Sequence, residues 1–278
     1  MSNCKFCGQP AGFLKHKHSE CQQRHDSACD QIVGLVSGAI SSPTVSDSLL
    51  EQITKIARES FVSDSERSEF LVDGWTKAVD SSLHDGILDE DQEKKLVSLK
   101  NKFSLSQGDL DKNGAFTRVA KAAVIRDVLH GVVPKRVSLS QSLPLNLQTG
   151  EQIVWAFQDS EYLEDRTHRQ YVGGSQGVSV RIAKGLYYRT GSFKGQAIDR
   201  TVRERIDTGI VAVTNKNIYF YGPAKSLRVP YSKIVAFQPY NDGVGIVRDA
   251  ANAKPQIFVT GDGWFTYNLV TNLAQIHA

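Results

Sequence analysis

The chain has no cysteine beyond Cys29, and no apolar run in its 278 residues approaches the roughly 18–20 needed to cross a bilayer. A transmembrane helix is therefore not expected. The N-terminus is polar and rich in Cys and His, without the apolar stretch of a signal peptide, so a cytoplasmic protein with reduced thiols is the expectation. No Gly-Lys-Ser/Thr and no strand–GxGxxG–helix context occurs, which removes the usual nucleotide-binding signals. Charge of one sign is also scarce. The net charge is +3, made up of +1 over residues 1–44, −4 over 45–130 and +6 over 131–278. The basic excess is spread out, so it gives weak grounds for nucleic acid or anionic lipid as partner. Hydrophobic content of 40% with 23% charged residues is that of an ordinary folded chain.

The cysteines are concentrated in CKFCGQPAGFLKHKHSECQQRH. Cys4 and Cys7 form C-x2-C, a spacing that lets two thiolates reach one metal from a tight turn, eased by Gly8. After ten intervening residues, His18 and Cys21 repeat the i, i+3 relation. Four N/S donors suit tetrahedral zinc, and so short a segment cannot bury a core of its own. Cys4, Cys7, His18 and Cys21 are thus the expected ligands of a structural Zn2+ in a closed site. Ser19 is placed to cap a helix over Glu20 to Ile40, on which Cys21, His25, Cys29, Ile32 and Val36 share a stripe. His25 or His16 stays open as an alternative fourth ligand. Cys29 reads as a small buried helix residue.

Helical periodicity then recurs four times. Its markers are Leu49, Leu50, Ile53, Ile56 and Ala57; Phe70, Leu71, Trp75, Ala78 and Val79; Leu96, Leu99 and Phe103 after an Asp89/Gln92 capping pair; and Phe116 to Val128, ending at Gly131 before Pro134. Short connections predict an antiparallel α-bundle. DLDKNG at Asp109–Gly114 matches half of a calcium loop, but position 12 is Ala120, so a turn into a helix cap is expected instead.

Residues 132–150 read as a linker. Beyond them come short β-branched or aromatic runs: Ile153–Phe157, Val178–Ile182, Leu186–Thr190, Ile210–Thr214, Ile218–Tyr221, Ile234–Pro239, Gly245–Val247 and Ile257–Thr260. An amphipathic helix at Phe265, Leu269, Leu273 and Ile276 closes the chain. Such an order predicts an antiparallel barrel, partly open and capped by that helix. Gly173–Gly177 matches G-x-S-x-G around Ser175, but a strand follows where the nucleophile elbow needs a helix, and the only downstream histidine is His277. No catalytic set is assigned.

Three resemblances complete the reading. The segment carrying Cys4, Cys7, His18 and Cys21 is similar to zinc-ribbon or knuckle modules. The helices around DGILDEDQ resemble TerB-like bundles, some of which use acidic metal ligands; only Asp85 and Asp89 stand nearby here. GIVAVTNKNIYFYG with SLRVPYSKIVAF and the Trp264 helix looks like bacterial PH-like and GRAM-like domains, which implies binding of headgroups, peptides or protein surfaces. Lipid-binding relatives would place cations such as Arg181, Lys184, Arg189, Lys194, Arg200, Arg203 and Arg205 in loops.

The expected fold is α+β multidomain: a zinc module (1–42), a TerB-like bundle (45–131), a linker (132–150) and a PH-like barrel (151–278). The expected function is a non-enzymatic adaptor or sensor in a bacterial stress or defence response, with a protein or peptide partner. Nucleic acid or anionic lipid is the alternative partner.

Overall fold

The computed structural model describes the chain except residues 1, 14, 84–85, 138–142, 173–177, 184–185, 191–195, 251–253 and 277–278, and except the side chains of 167–172, 178–183, 186–190 and 196–200. It divides into two compact units, Met1–Arg136 and Val137–Ala278.

The first unit is helical: α1 (Ser19–Gly38), α2 (Leu49–Glu59), α3 (Asp64–Ser82), α4 (Glu90–Lys102), a single turn α5 (Gln107–Leu110) and α6 (Ala115–Leu129). Local chemistry sets several starts. Ser63 and Glu66 form a capping box before α3, and Asp89 accepts from the Asp91 and Gln92 amides in the box before α4. The α1 start differs from expectation. Ser19 lies inside the helix, and the cap is His18, without a side-chain hydrogen bond, because its ring is engaged elsewhere.

The core of this unit joins Ile32 and Val36 of α1, Ile53 of α2, Trp75 and Val79 of α3, and Leu96 and Leu99 of α4. Gly74 makes the α1–α3 approach possible, since a Cβ there would stand 2.6 Å from that of Val36. At the far side, buried Arg126 donates to Glu93 at 2.7 Å and to the Leu88 carbonyl at 3.2 Å. Arg136 grips the same Glu93 together with Asp127, tying the chain after α6 back onto α4.

The DLDKNG segment is turn and cap. Asp109 accepts from Ser106, Asp111 from the amide and hydroxyl of Thr117, and Asn113 from the Ala115 amide. Asp89 is used as a cap, and Asp85 lies outside the described residues.

The second unit contains β1 (Ile153–Val172), β2 (Val178–Ala183), β3 (Leu186–Thr190), β4 (Gln196–Thr214), β5 (Asn217–Tyr221), β6 (Ser226–Pro230), β7 (Ile234–Pro239), β8 (Gly243–Arg248), β9 (Gln256–Val259) and α7 (Gly263–Ile276). Seven strands form one antiparallel sheet in the order β6-β5-β4-β1-β9-β8-β7, and β2–β3 is a separate hairpin.

The expected barrel is not closed: β6 and β7 are its two edges. Only the 3-10 turn Tyr231–Lys233 separates them in sequence. At about 3.3–3.6 Å per residue this connection holds the edges close at one corner, yet it turns the chain without making a hairpin. Pro230 and Pro239 also withhold amide donors from these edges. The helix α7 packs on β7 and β8, and Phe265 sits 5.0 Å from Trp155 and 5.9 Å from Phe157, ring centre to ring centre.

Strands β1 and β4 are far longer than their apolar runs. Charged residues carry the extension, because they pair across the ladder: Arg205 with Glu161 at 2.8 Å, Arg203 with Asp165 at 3.2 Å and Arg166 with Glu204 at 3.7 Å. Arg203 and Arg205 are therefore strand residues, not the loop residues the sequence led us to expect.

Glu151 locks the β4–β5 turn to the segment before β1. Its carboxylate accepts from Thr214 (2.5 Å), Asn217 (2.7 Å), the Gln148 amide (2.7 Å) and Tyr219 (2.9 Å). Burial works against the charge, but these donors hold the carboxyl below its usual range. A depressed folded-state pKa contributes stability that is present above the unfolded value of about 4.3 and is lost as pH falls through the folded value. Glu151→Gln is thus expected to cost about 1–3 kcal/mol at pH 7. The gap from wild type should narrow below about pH 4; urea titrations at the two pH values measure it.

Candidate metal centre

The N-terminal loop is shaped by backbone bonds. The Gly8 amide donates to the Cys4 carbonyl at 2.9 Å, with Gly8 at φ +70°, and the Cys4 amide donates to Gln9 at 2.7 Å. The Lys5 amide bonds the His16 carbonyl at 3.0 Å, returning the chain toward its start. The loop thereby brings the C-x2-C turn over the first turn of α1, where His18 and Cys21 project.

The donor atoms of Cys4, Cys7, His18 and Cys21 lie within 4.8 Å of one another, close enough to hold one metal ion. His18 Nδ1 is 3.4 Å from Cys7 Sγ and 3.7 Å from Cys21 Sγ. A tetrahedral site with metal–sulfur near 2.3 Å and metal–nitrogen near 2.0–2.1 Å has an S···N edge of about 3.6 Å, so the donors fit. His18 Nε2 lies 3.1 Å from the Pro10 carbonyl. That acceptor places the ring proton on Nε2 and leaves the Nδ1 lone pair facing the thiols.

The cysteines are free, with no disulfide. Burial opposes ionisation of Cys4, yet backbone amides of Cys7, His18 and Phe6 bring its thiol down to about 6. Cys21 is pushed up to about 11 by burial and by the neighbouring Cys7 and Cys4. Within the folded loop Cys4 is the thiol that ionises more readily and Cys21 the one that resists, and metal binding draws off the remaining thiol protons.

Neither alternative histidine joins this group. His16 is exposed, and its carbonyl serves the loop. His25 is buried one turn further along α1, with Nδ1 3.3 Å from Asp26 and Nε2 3.4 Å from Glu66. The Glu66 contact is at ion-pair distance but off the line of a hydrogen bond. Phe6, inside the C-x2-C turn, stacks on His25 with ring centres 4.8 Å apart and lies 6.4 Å from Phe61. Phe61 itself holds a left-handed backbone, φ 61°. This seat for the metal loop has no sequence motif; an aromatic between the two cysteines is its only trace. Cys29, expected to be buried, is partly exposed, and its thiol is raised by burial and nearby Asp26, Glu66 and Asp30.

Elsewhere, a groove of about 830 Å³ lies between the β7 edge and α7, lined by Tyr231, Ser232, Ile234, Phe237, Thr271 and Gln275 among others. The lipid candidates Lys184 and Lys194, and the side chains of Arg181, Arg189 and Arg200, lie outside what the structure describes. So do Ser175, its flanking glycines and His277; β2 begins directly after Gly177. Among the described residues no helix is long and apolar enough to cross a membrane. No family model, no curated protein and no solved structure matches this chain.

Proposed function

We propose that this chain is a non-enzymatic, cytoplasmic adaptor or sensor whose N-terminal knuckle holds one structural Zn2+ and whose C-terminal unit is a PH-like binder of a protein or peptide. Convergence of three thiols and the Nδ1 of His18 on one point is the observation that carries the reading. The donor set is soft and four-fold, which favours zinc over oxygen-seeking cations and leaves no position for substrate. When bound, the ion supplies a crosslink rather than chemistry. The TerB-like reading of the helices rests on their order alone.

The binding role is supported by the open β7 edge and its groove. Residues Ile234–Pro239 carry no charge, and Val235 is 66% exposed. An uncharged edge strand offers unpaired backbone groups to an extended peptide, while Ile234 and Phe237 offer apolar contact. A lipid role has less support, because Arg203 and Arg205 are neutralised by Asp165 and Glu161.

Two measurements test the reading. Elemental analysis of the untagged protein is expected to find one zinc per chain. Peptides selected from a random display library against the zinc-loaded protein are expected to lose at least tenfold in affinity with Phe237→Asp. Peptides indifferent to that change would remove the groove from the function. Another metal at full occupancy would remove zinc.

A further inference from the structure

We infer that the metal centre is a redox switch: a peroxide joins Cys7 to Cys21 in a disulfide, and the metal leaves. The inference rests on the metal reading of Cys4, Cys7, His18 and Cys21, and it turns on which sulfurs solvent reaches. Cys7 and Cys21 are partly exposed, whereas Cys4 is 2% exposed. The Cys4 sulfur also accepts the His18 amide at 3.3 Å, and its own amide and carbonyl are bonded to Gln9 and Gly8. Backbone thus walls in Cys4 and leaves the other two sulfurs within reach.

Little apolar cover protects them. Among the described residues before α1, the buried apolar side chains are those of Cys4 and Ala11, and Phe6 stacks on His25. A small polar oxidant can therefore meet thiolate sulfur. The donor atoms lie within 4.8 Å of one another, so side-chain rotation brings the second sulfur onto the first once that one is oxidised.

In the first step a sulfur lone pair of Cys7 or Cys21 attacks one peroxide oxygen. The O–O bond breaks, leaving a sulfenic acid and a hydroxide. The second thiolate then attacks the sulfenyl sulfur, forming the S–S bond and expelling another hydroxide. Two sulfurs lose two electrons in all, and solvent protonates both hydroxides to water. Cys4 and His18 alone remain, two ligands where tetrahedral zinc takes four. Cys29 is the competing thiol. It lies further along α1, 3.7 Å from His25 Nδ1, and burial with nearby Asp26, Glu66 and Asp30 raises it, which lowers its thiolate fraction.

The test treats the full chain, first shown by elemental analysis to carry zinc, with hydrogen peroxide. A chromogenic chelator reads the zinc released. Trypsin cuts after Lys5, Lys15, Lys17 and Arg24, which puts Cys4, Cys7, Cys21 and Cys29 on separate peptides, and mass spectrometry reads which are joined. One zinc is expected to leave for each Cys7–Cys21 disulfide, and dithiothreitol with added zinc should reverse both changes. Cys29→Ser should respond like wild type. Several outcomes overturn the inference: zinc retained under excess peroxide, zinc lost with sulfinic or sulfonic acid and no disulfide, a disulfide through Cys4, or a response that Cys29→Ser abolishes. In each case the zinc measured before peroxide leaves the metal reading intact. A chain isolated under reducing conditions without metal would remove both.

Discussion

Cys7→Ser, or chelation of the native protein, is expected to unfold the residues before α1 and to release them from the helical unit. Among the described residues of that segment only Cys4 and Ala11 are buried apolar side chains. Ordering about fifteen residues costs on the order of 1 kcal/mol each, which two small side chains cannot offset. A structural zinc contributes about 10–16 kcal/mol, which is the right size. The effect should pass beyond the loop, because His18 is both a donor and the cap of α1, and Phe6 rests on His25 and near Phe61.

Limited proteolysis should therefore cut the variant before His18, with loss of the metal and a lower midpoint for the helical unit. Resistance equal to wild type in a metal-free chain would sink the claim. The pH dependence has a definite sign. Cysteine thiols, ordinarily protonated below about 8.5, give up their protons on loading, so uptake releases protons and weakens as pH falls.

Trp75→Ala is the second large effect, expected to destabilise the helical unit by about 3–5 kcal/mol. Trp75 is 1% exposed and the largest fully buried side chain. Its ring fills the space between α1, α3 and α4, and its indole N–H donates to the Leu96 carbonyl at 3.0 Å. Removal leaves a cavity that neighbours held by their own helices cannot fill. Trp75→Phe keeps most of the ring volume but loses that bond, and should cost about 1–2 kcal/mol. Urea unfolding followed by far-ultraviolet circular dichroism ranks the three proteins. A loss under about 1 kcal/mol for the alanine variant would mean that the core closes around the gap.

Much of the helical unit was legible because its determinants are local. Leu49, Ile53 and Ala57 fall on one buried face of α2, and Asp89 with Gln92 marked the start of α4. The same locality explains the candidate site: a turn brings Cys4 to Cys7, one helical turn brings His18 to Cys21, and both relations are spacings in the chain. Cys29 was misjudged because a helical stripe says which residues share a face, not how far along it the cover extends.

The second unit was less legible. The strand runs near Ile153, Ile210, Ile218, Ile234 and Ile257 stood out by their β-branched residues. The charged halves of β1 and β4 did not, because Asp165 and Arg203 support a strand only when they face each other. Strand β6 (SLRVP) did not stand out because Ser226, Arg228 and Pro230 leave only Leu227 and Val229 as apolar markers.

By itself, then, the sequence determined the longer helices, most strand cores and the four residues that cluster as candidate metal ligands, since periodicity, caps and close spacing act over a few residues. Only the tertiary structure decided that β1 lies between β4 and β9, that Tyr162 stands opposite Phe258, and that the sheet stays open at β6 and β7. It also decided that His25 turns to Glu66 and Phe6 while His18 turns to the thiols. Those outcomes depend on which distant surfaces meet, and the cost of bringing distant segments together is met by buried area and paired charge that no local pattern records.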